Sequence, residues 1–360
     1  MRWIGLKDHR NRRFCASGID AAFGGETNPD VALAQGSILV EFQTDPQVGV
    51  QTVFEYGASF PWSTGFIINW HGAGILTIEH WVGRQRHVEE IQTGLTAANE
   101  NLLLTYIWDG PAREAVIAID GPLRPNPIVR HLKNPMPLCY RDLQRMIDDD
   151  CHARIGEKTA FIGLARGHCP IGPLPSLAGN TPIPTSGGMR SVSSLRQGQH
   201  VVTKSGQLAQ VRWAGSITMP ARGRFAPMTV RAPYFGLTTD ITVASSQKLR
   251  LKGAAIDYMF DTDSVSALAG DLFGGHAVQV ARSRSTQTYY HFLLDTIEPT
   301  EIAGLTMSGI NANACFDRPE LLRHSVFADL PRELLPRMTA HQVRTLMPFE
   351  AESLRRHLAA

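Results

Sequence analysis

The chain has 360 residues, which favours two domains over one, because single hydrophobic cores usually stop growing near ~250–300 residues. A hydrophobic content of 43% and a charged content of 19% exclude a disordered protein, and a formal net charge of +2 gives no bias towards nucleic acid or anionic membranes. No stretch of about 18 apolar residues occurs, so no membrane-spanning helix is expected.

The first residues lack the apolar core of a signal peptide, and the basic run at Arg10, Arg12 and Arg13 is short enough to be a solvated stretch. The cysteine count of five is odd and no CxxC occurs, which argues against a disulfide framework and a zinc ribbon. We therefore expect no metal and no cofactor. The compartment stays open between the cytoplasm, export without a signal peptide and a phage-like particle.

Residues 36–120 alternate apolar and polar positions in short runs separated by turn formers. Alternation places one face of each strand on a core and the other in water, so the pattern predicts an antiparallel β-sandwich. The predicted strands are 37–43, 51–56, 65–70, 75–79, 102–108 and 115–120.

Residues 121–188 change character. Leu138, Leu143, Met146 and Ile147 have near-helical spacing within 138–150, which predicts one short amphipathic helix. A returning strand is predicted at 159–165. The segment 167–176 is dense in Pro and Gly and marks the clearest boundary, since it suits neither a helix nor a central strand.

β-type runs resume beyond this boundary, and the C-terminal residues then return to a helical period. Strands are predicted at 199–203, 209–213, 228–231, 239–243, 248–251, 277–281 and 289–294. Short helices are predicted at 319–323, 330–335 and 349–358.

Five segments in the second half resemble, in order and spacing, the bacterial Hint (hedgehog/intein-type) family. They are 176–188, 192–202, 231–237, 240–251 and 290–298. The resemblance implies a β-rich domain that shifts the peptide bond before its first residue to an ester. That reaction needs a nucleophile at the first residue, a Thr-x-x-His pair that handles the proton, and donors for the oxyanion.

The family's catalytic positions carry other residues here. The nucleophile position falls on Ser176 after Pro175, and the Thr and His positions fall on Ala244 and Gln247. Alanine has no polar group and glutamine does not titrate, so neither relays a proton. The pattern thus predicts a Hint domain with a degenerate active site, in which Ser176 serves as a turn residue.

Other residues that match the family, or lie near its first residue, have structural interpretations. His291 matches a family position and could form hydrogen bonds within the former pocket, although a lone strand histidine is more often structural. Asp295 and Glu298 are expected at strand ends or turns. Cys169, beside His168, is a thiol that would have to act as a nucleophile displaced from the family's first residue, and the spacing of the family's segments does not support that role. The His-Asn pair that ends inteins has no counterpart, since no Asn follows His357.

Residues 30–165 resemble, more weakly, the laminin-G/concanavalin-type jelly roll, through the strand series and the segments 101–110 and 115–121. This resemblance implies a glycan or surface-protein partner. Indole rings stack on sugar CH faces, but tryptophan is also a common core residue, which we expect for at least two of the four candidates. The candidate ligand-binding residues are Trp62, Trp70, Trp81 and Trp108.

The predicted fold is therefore mainly β, with a jelly-roll-like sandwich (1–165), a Hint-like domain (166–310) and a helical C-terminal extension (311–360). The favoured function is a non-enzymatic binding or structural protein at a cell surface or on a phage-like particle. The alternative is self-cleavage at the Pro175–Ser176 bond. A third hypothesis, a carbohydrate-active enzyme, would use Glu41, Glu55 and Glu79 as acid and nucleophile.

Overall fold

In a computed structural model the chain divides into two units, Met1–Ile171 and Gly172–Ala360. The structure describes residues 1–21, 27–95, 99–122, 124, 126–282, 284–307, 309–310, 312–335 and 343–359. The fold is mainly β, as the sequence predicts, and both units are built from antiparallel sheets. Among the described residues no helix is long and apolar enough to cross a membrane.

Over its described residues, the first unit is a sandwich of two sheets with one helix. The seven-stranded sheet contains β1 (Arg2–Lys7), β2 (Arg12–Phe14), β3 (Gln35–Gln43), β8 (Asn101–Asp109), β9 (Glu114–Asp120), β10 (Ile128–Lys133) and β12 (Thr159–Arg166). The five-stranded sheet contains β4 (Val50–Ala58), β5 (Thr64–His71), β6 (Ile75–Val82), β7 (Gln85–Gln92) and β11 (Ala153–Ile155). Their strand orders are β10-β9-β8-β3-β12-β1-β2 and β11-β4-β5-β6-β7.

The core of this unit lies between the inner faces of the two sheets. On β3 the inward side chains are Ile38, Val40 and Phe42, and on β5 they include Phe66 and Ile68. These residues repeat every second position, which is the period at which a strand presents one face. The two-layer sandwich follows from this alternation.

Helix α1 (Tyr140–Asp148) buries Leu143, Met146 and Ile147 in the same core. The carboxylate of Asp142, in its first turn, accepts hydrogen bonds from the hydroxyl of Tyr56 at 2.6 Å and from the thiol of Cys139 at 2.9 Å. A negative charge is favourable at a helix N-terminus. The predicted amphipathic helix is present and is somewhat shorter than 138–150.

The second unit is organised around a nine-stranded sheet. Its strands are β13 (Leu177–Ala178), β14 (Pro182–Thr185), β15 (Gly188–Ser191), β16 (His200–Val202), β17 (Leu208–Pro220), β18 (Pro227–Val230), β19 (Ile241–Ala244), β22 (Val278–Val280) and β23 (Thr286–Leu294). Two small sheets join β20 (Lys248–Leu251) to β21 (Val265–Leu268) and β24 (Thr300–Ile302) to β25 (Leu305–Met307). The order of the large sheet is β15-β14-β16-β17-β23-β13-β19-β18-β22.

The helices of this unit are α2 (Ala254–Phe260), α3 (Asn313–Asp317), α4 (Pro319–Arg323) and α5 (Pro348–Ala359). Ala351 and Leu354 of α5 belong to the same buried cluster as the strands, and so does Leu346. The backbone of 344–346 pairs with β21, since the Leu346 amide donates to the carbonyl of Ser266 at 2.7 Å. The last residues therefore complete this core, whereas the boundaries 1–165, 166–310 and 311–360 stay a prediction.

Several elements differ from the sequence-based expectation. Strands β1, β2, β7 and β10 were not anticipated, and 330–335 forms only a 3-10 helix at Arg332–Leu334. Most side chains of β7 and β10 lie at least partly in solvent, because both strands are sheet edges, so their sequences lack the alternation that reveals a half-buried strand. Strand β17 extends well beyond the predicted 209–213.

Candidate functional site

Strand register brings the predicted residues of the second unit together. Leu177 of β13 pairs with Val243 of β19 on one side and with Tyr290 of β23 on the other. Because both pairings are antiparallel, Ser176 falls in the row of Ala244 and His291. The amide of Ala244 donates to the carbonyl of Ser176 at 2.7 Å, which confirms the first of these neighbours. We call Ser176, Ala244, Gln247 and His291 the Ser176 row.

Gln247 reaches Ser176 through a tight turn. The amide of Gln247 donates to the carbonyl of Ala244 at 2.9 Å, which folds the chain back at the end of β19. The Ser176 hydroxyl then donates to Oε1 of Gln247. The side-chain Nε2 of Gln247 donates to the carbonyl of Lys248 at 2.7 Å, so its Oε1 is the end that faces Ser176.

His291 is 5% exposed. Burial lowers the pKa of His291 to about 4, because desolvation penalises the charged ring. Its Nδ1 lies 2.9 Å from the amide nitrogen of Phe292 and 3.2 Å from the carbonyl oxygen of the same residue, so this ring nitrogen is occupied by backbone groups. His291 is therefore a neutral, structurally engaged histidine at neutral pH.

The chemistry open to the Ser176 row follows from these contacts. A serine hydroxyl becomes a nucleophile when a neighbouring base takes its proton. Here the proton points at the amide oxygen of Gln247, which does not accept a proton near neutral pH. Ser176 is also 8% exposed and the preceding Pro175 is buried, so water does not supply the base freely.

The other residues that the sequence singled out near this domain have structural partners. Asp295 accepts the amide of Gln210 at 3.0 Å, and Glu298 accepts the amide of Ser205 at 2.7 Å. Asp295 thus binds the backbone of strand β17, and Glu298 binds the backbone of the loop between β16 and β17. Cys169 lies in the first unit, and desolvation raises its pKa to about 12, so its thiol is not activated.

The four candidate tryptophans of the first unit have different environments. Trp70 and Trp108 are each 2% exposed, and the indole of Trp108 donates to the carbonyl of Leu33 at 2.8 Å. Trp62 is 44% exposed and Trp81 is half-buried. Rings as buried as Trp70 and Trp108 offer no free face to a ligand, which leaves Trp62 and Trp81 as candidate platforms.

The three glutamates of the enzyme hypothesis do not form an acid pair. Glu41 is a buried residue of the seven-stranded sheet, whereas Glu55 and Glu79 belong to the five-stranded sheet. Glu55 is ion-paired with Arg154 at 2.8 Å and Glu79 with Arg86 at 2.6 Å. Within the described residues no group of three His, Cys, Asp or Glu side chains has the geometry to hold a metal ion.

Sequence reasoning missed the two glycines beside Trp81. Gly57, Gly65 and Trp81 lie in one row across β4, β5 and β6. A Cβ on Gly65 would be 2.1 Å from the Trp81 ring, so the ring lies directly on the glycine backbone. The sequence shows two glycines eight residues apart on either side of a short hairpin. Only the strand register shows that they pair with each other and that Trp81 lies beside them.

Comparison with known families agrees with the second-half resemblance. Residues 175–306 match the family model of the Hint domain. Because these residues match that model, we refer to them as the Hint domain. Its first residues, Pro175 and Ser176, coincide with the position where the sequence placed the nucleophile.

Solved structures similar to parts of the chain include inteins and a carbohydrate-binding module. The MchDnaB-1 intein is 16% identical, with 37% of this chain and 98% of that chain covered and a TM-score of 0.25. The gp41-1 intein is 11% identical, with coverages of 38% and 98% and a TM-score of 0.26. The Ruminococcus gnavus IT-sialidase CBM40 bound to alpha2,3 sialyllactose is 11% identical, with coverages of 38% and 77% and a TM-score of 0.28. A search of curated proteins finds no match.

Proposed function

We propose that this chain is a non-enzymatic binding protein, in which a jelly-roll-like unit binds carbohydrate and the Hint domain does not cleave itself. The observation that carries the second part is the hydrogen bond from the Ser176 hydroxyl to Oε1 of Gln247. The hydroxyl is held by a group that cannot remove its proton.

The loss of a proton carrier is large enough to decide between a cleaving and a silent domain. General acid–base catalysis contributes about 10²–10⁴-fold to such a step. In the Ser176 row, Ala244 has no polar side-chain atom, Gln247 does not titrate and His291 is neutral with Nδ1 already engaged. The remaining backbone donors would have to supply the whole acceleration.

Carbohydrate binding is supported by the surface tryptophans of the first unit. Trp62 and Trp81 are the two candidates with solvent-accessible surface, and Ser63, which follows Trp62 in the chain, accepts a hydrogen bond from the Trp81 indole at 3.1 Å. Sugars present apolar CH faces and hydroxyl groups, so a ring bordered by polar side chains is complementary to both.

Intact mass tests the silent Hint domain. The purified full chain should remain a 39.6 kDa species after incubation with hydroxylamine or dithiothreitol, which cleave esters and thioesters. Fragments corresponding to residues 1–175 and 176–360 would establish the alternative function, self-cleavage at Pro175–Ser176 by an N-to-O acyl shift. That alternative has one observation in its favour, the hydroxyl retained at Ser176.

A glycan array probed with the full chain tests carbohydrate binding. We expect signal on at least one glycan class and its loss in the Trp81→Ala variant, whose ring is removed from the sheet surface. Phe349→Ala is the matched control, because Phe349 is a 67% exposed aromatic residue of the other unit. Absence of signal on every glycan removes the basis of this part of the proposal.

A further inference from the structure

The outer face of the five-stranded sheet is arranged in rows by the strand register. One row contains Gly57, Gly65, Trp81 and Arg86. The adjacent row contains Glu55, Ile67, Glu79 and Val88, with Arg154 beside Glu55 on β11. The next row contains Thr52, Asn69, Thr77 and Glu90. We call these three rows the outer face.

Trp81 lies flat on this face because nothing but backbone is below it. A Cβ at Gly65 would come within 2.1 Å of ring atoms Cζ2 and Cη2, and one at Gly57 would be 3.9 Å from Cζ2. The indole Nε1 donates to Oγ of Ser63 at 3.1 Å, which fixes the rotation of the ring. One side of the ring is therefore occupied by the sheet, and the residue keeps part of its surface in solvent.

The aromatic surface continues into the hairpin loop that joins β4 and β5. In this loop Phe60 is 75% exposed and Trp62 is 44% exposed. The guanidinium of Arg145 donates to the carbonyl of Phe60 at 2.9 Å, and Ser63 is bonded to the Trp81 indole, so both ends of the loop are held. Trp62 is thus the chain neighbour of the residue that binds the Trp81 indole, so one tryptophan is on the sheet and the other on the loop attached to it.

Charges beside the ring are balanced in pairs. In the row next to Trp81, Glu55 binds Arg154 at 2.8 Å and Glu79 binds Arg86 at 2.6 Å. Each pair offers donors and acceptors to hydroxyl groups and carries no net charge. In the row beyond these pairs, Thr52, Asn69 and Thr77 are uncharged, and the hydroxyl of Thr77 is 3.1 Å from Nε2 of His71. The charged residue of that row is Glu90, on the edge strand β7, and its negative charge also disfavours an anionic ligand.

The face is also open along its length. Val88 is 50% exposed, and the side chains of Arg86 and Arg154 are 63% and 76% exposed. A site for a single terminal sugar usually encloses its ligand, because a small ligand needs most of its surface buried to bind. A face that is open and has more than one exposed aromatic ring suits a longer ligand, in which several sugar units each contact the protein.

We infer that the outer face, with Trp81 and Trp62 as platforms, binds an internal stretch of a neutral oligosaccharide chain. This inference rests on the proposed carbohydrate binding and adds its ligand class and geometry. Paired charges favour hydroxyl groups over a carboxylate, because binding an anion would require one of the guanidiniums to leave its partner.

Titration calorimetry on the full chain tests the inference. The probes are neutral gluco-, xylo- and manno-oligosaccharides of one, three and six units, and two acidic probes, sialyllactose and trigalacturonate. We expect affinity for one neutral series to rise at least tenfold from one to six units, with little change between 0.1 and 0.5 M NaCl. Exposed charge–charge attraction is screened over this salt range, whereas stacking is not.

Variants locate the site. Trp81→Ala should weaken binding of the six-unit chain at least tenfold, and Trp62→Ala should reduce the gain between three and six units. Trp62 is on an exposed loop, so this second variant is informative even where Trp81→Ala perturbs the sheet. Phe349→Ala should leave binding unchanged.

The outcomes separate this inference from the proposed function. Binding that is confined to the acidic probes and lost at 0.5 M NaCl overturns the neutral-chain inference and leaves carbohydrate binding intact. Equal affinity for one and six units overturns the extended geometry in the same way. No binding of any probe, together with an empty glycan array, overturns both.

Discussion

The Ser176 row of the Hint domain and the outer face of the sandwich unit are both made by antiparallel register. In the Ser176 row, three strands and a turn bring the backbone and side chains close, and the hydroxyl is directed at an amide oxygen. On the outer face, three strands place an indole on two glycines and leave part of its surface in solvent. In both places the strand register decides which groups meet, and the chemistry of the side chains decides what those groups can do.

The largest expected effect is on self-cleavage. Ser176→Cys combined with Gln247→His should remain uncleaved, because Ala244 still lacks a hydroxyl; adding Ala244→Thr should start cleavage, with a rate gain of about 10²–10⁴-fold. Fragment formation is followed by intact mass over time. The same variant with Ser176→Ala instead is the control and should stay whole. Cleavage in the double variant would show that the row needs only a nucleophile and a base.

The next largest effect is a difference in the loss of stability between substitution of a buried tryptophan and of an exposed one. Trp108→Ala removes a ring that is 2% exposed and bonded to the Leu33 carbonyl, so we expect the free energy of unfolding to fall by about 3–5 kcal/mol. Trp62→Ala, at an exposed position, should change it by less than about 0.5 kcal/mol. Urea denaturation followed by circular dichroism measures both. Equal losses would contradict the division of the tryptophans.

Alanine substitutions of the glycines below Trp108 and Trp81 should change stability by a smaller amount and test the same difference between a buried and a partly exposed tryptophan. A Cβ at Gly36 would be 2.3 Å from the buried Trp108 ring, so Gly36→Ala should cost about 1–3 kcal/mol of stability through overpacking. Gly65→Ala creates a similar clash with Trp81, but that ring can move outward, so stability should fall less while carbohydrate affinity falls. Denaturation and calorimetry on both variants provide the check, and the opposite ranking would be inconsistent with a solvent-facing Trp81.

The smallest effect is a pH dependence that each unit should show. Burial lowers the pKa of His80 in the sandwich and of His291 in the Hint domain to about 4, below the value of about 6.5 in an unfolded chain. The unfolded chain therefore binds the proton first, and folding stability should fall as pH drops from about 6.5 towards 4.

The expected loss between pH 7 and pH 5 is on the order of 1–2 kcal/mol for each of the two histidines. Urea denaturation at both pH values, with His80→Gln and His291→Gln, measures it, because each substitution should flatten the pH dependence. His200→Gln, at an exposed position, should leave the dependence unchanged. A pH dependence that neither substitution reduces would assign the loss to other groups.

The predictability of each region depends on how local its signal is. The strands of 36–120 were visible because their side chains alternate between core and solvent, and α1 because Leu143, Met146 and Ile147 recur at helical spacing. Edge strands β7 and β10 were not predicted, because each buries few side chains, Ile91 on β7 and, partly, Ile128 and Leu132 on β10, which is too little for a clear apolar alternation. The Hint domain was found from the order of five segments, each weak alone.

By itself the sequence determined the mainly β fold and the resemblance to the Hint family, because alternation and segment order are properties of the chain. It also predicted which residues hold the family's catalytic positions. Only the tertiary structure decided which residues meet. Ser176, Ala244 and His291 lie on three strands joined by long-range pairing, and Trp81 reaches its glycines across two strand boundaries. Register between distant strands depends on packing over the whole sheet, so no short stretch of sequence contains it.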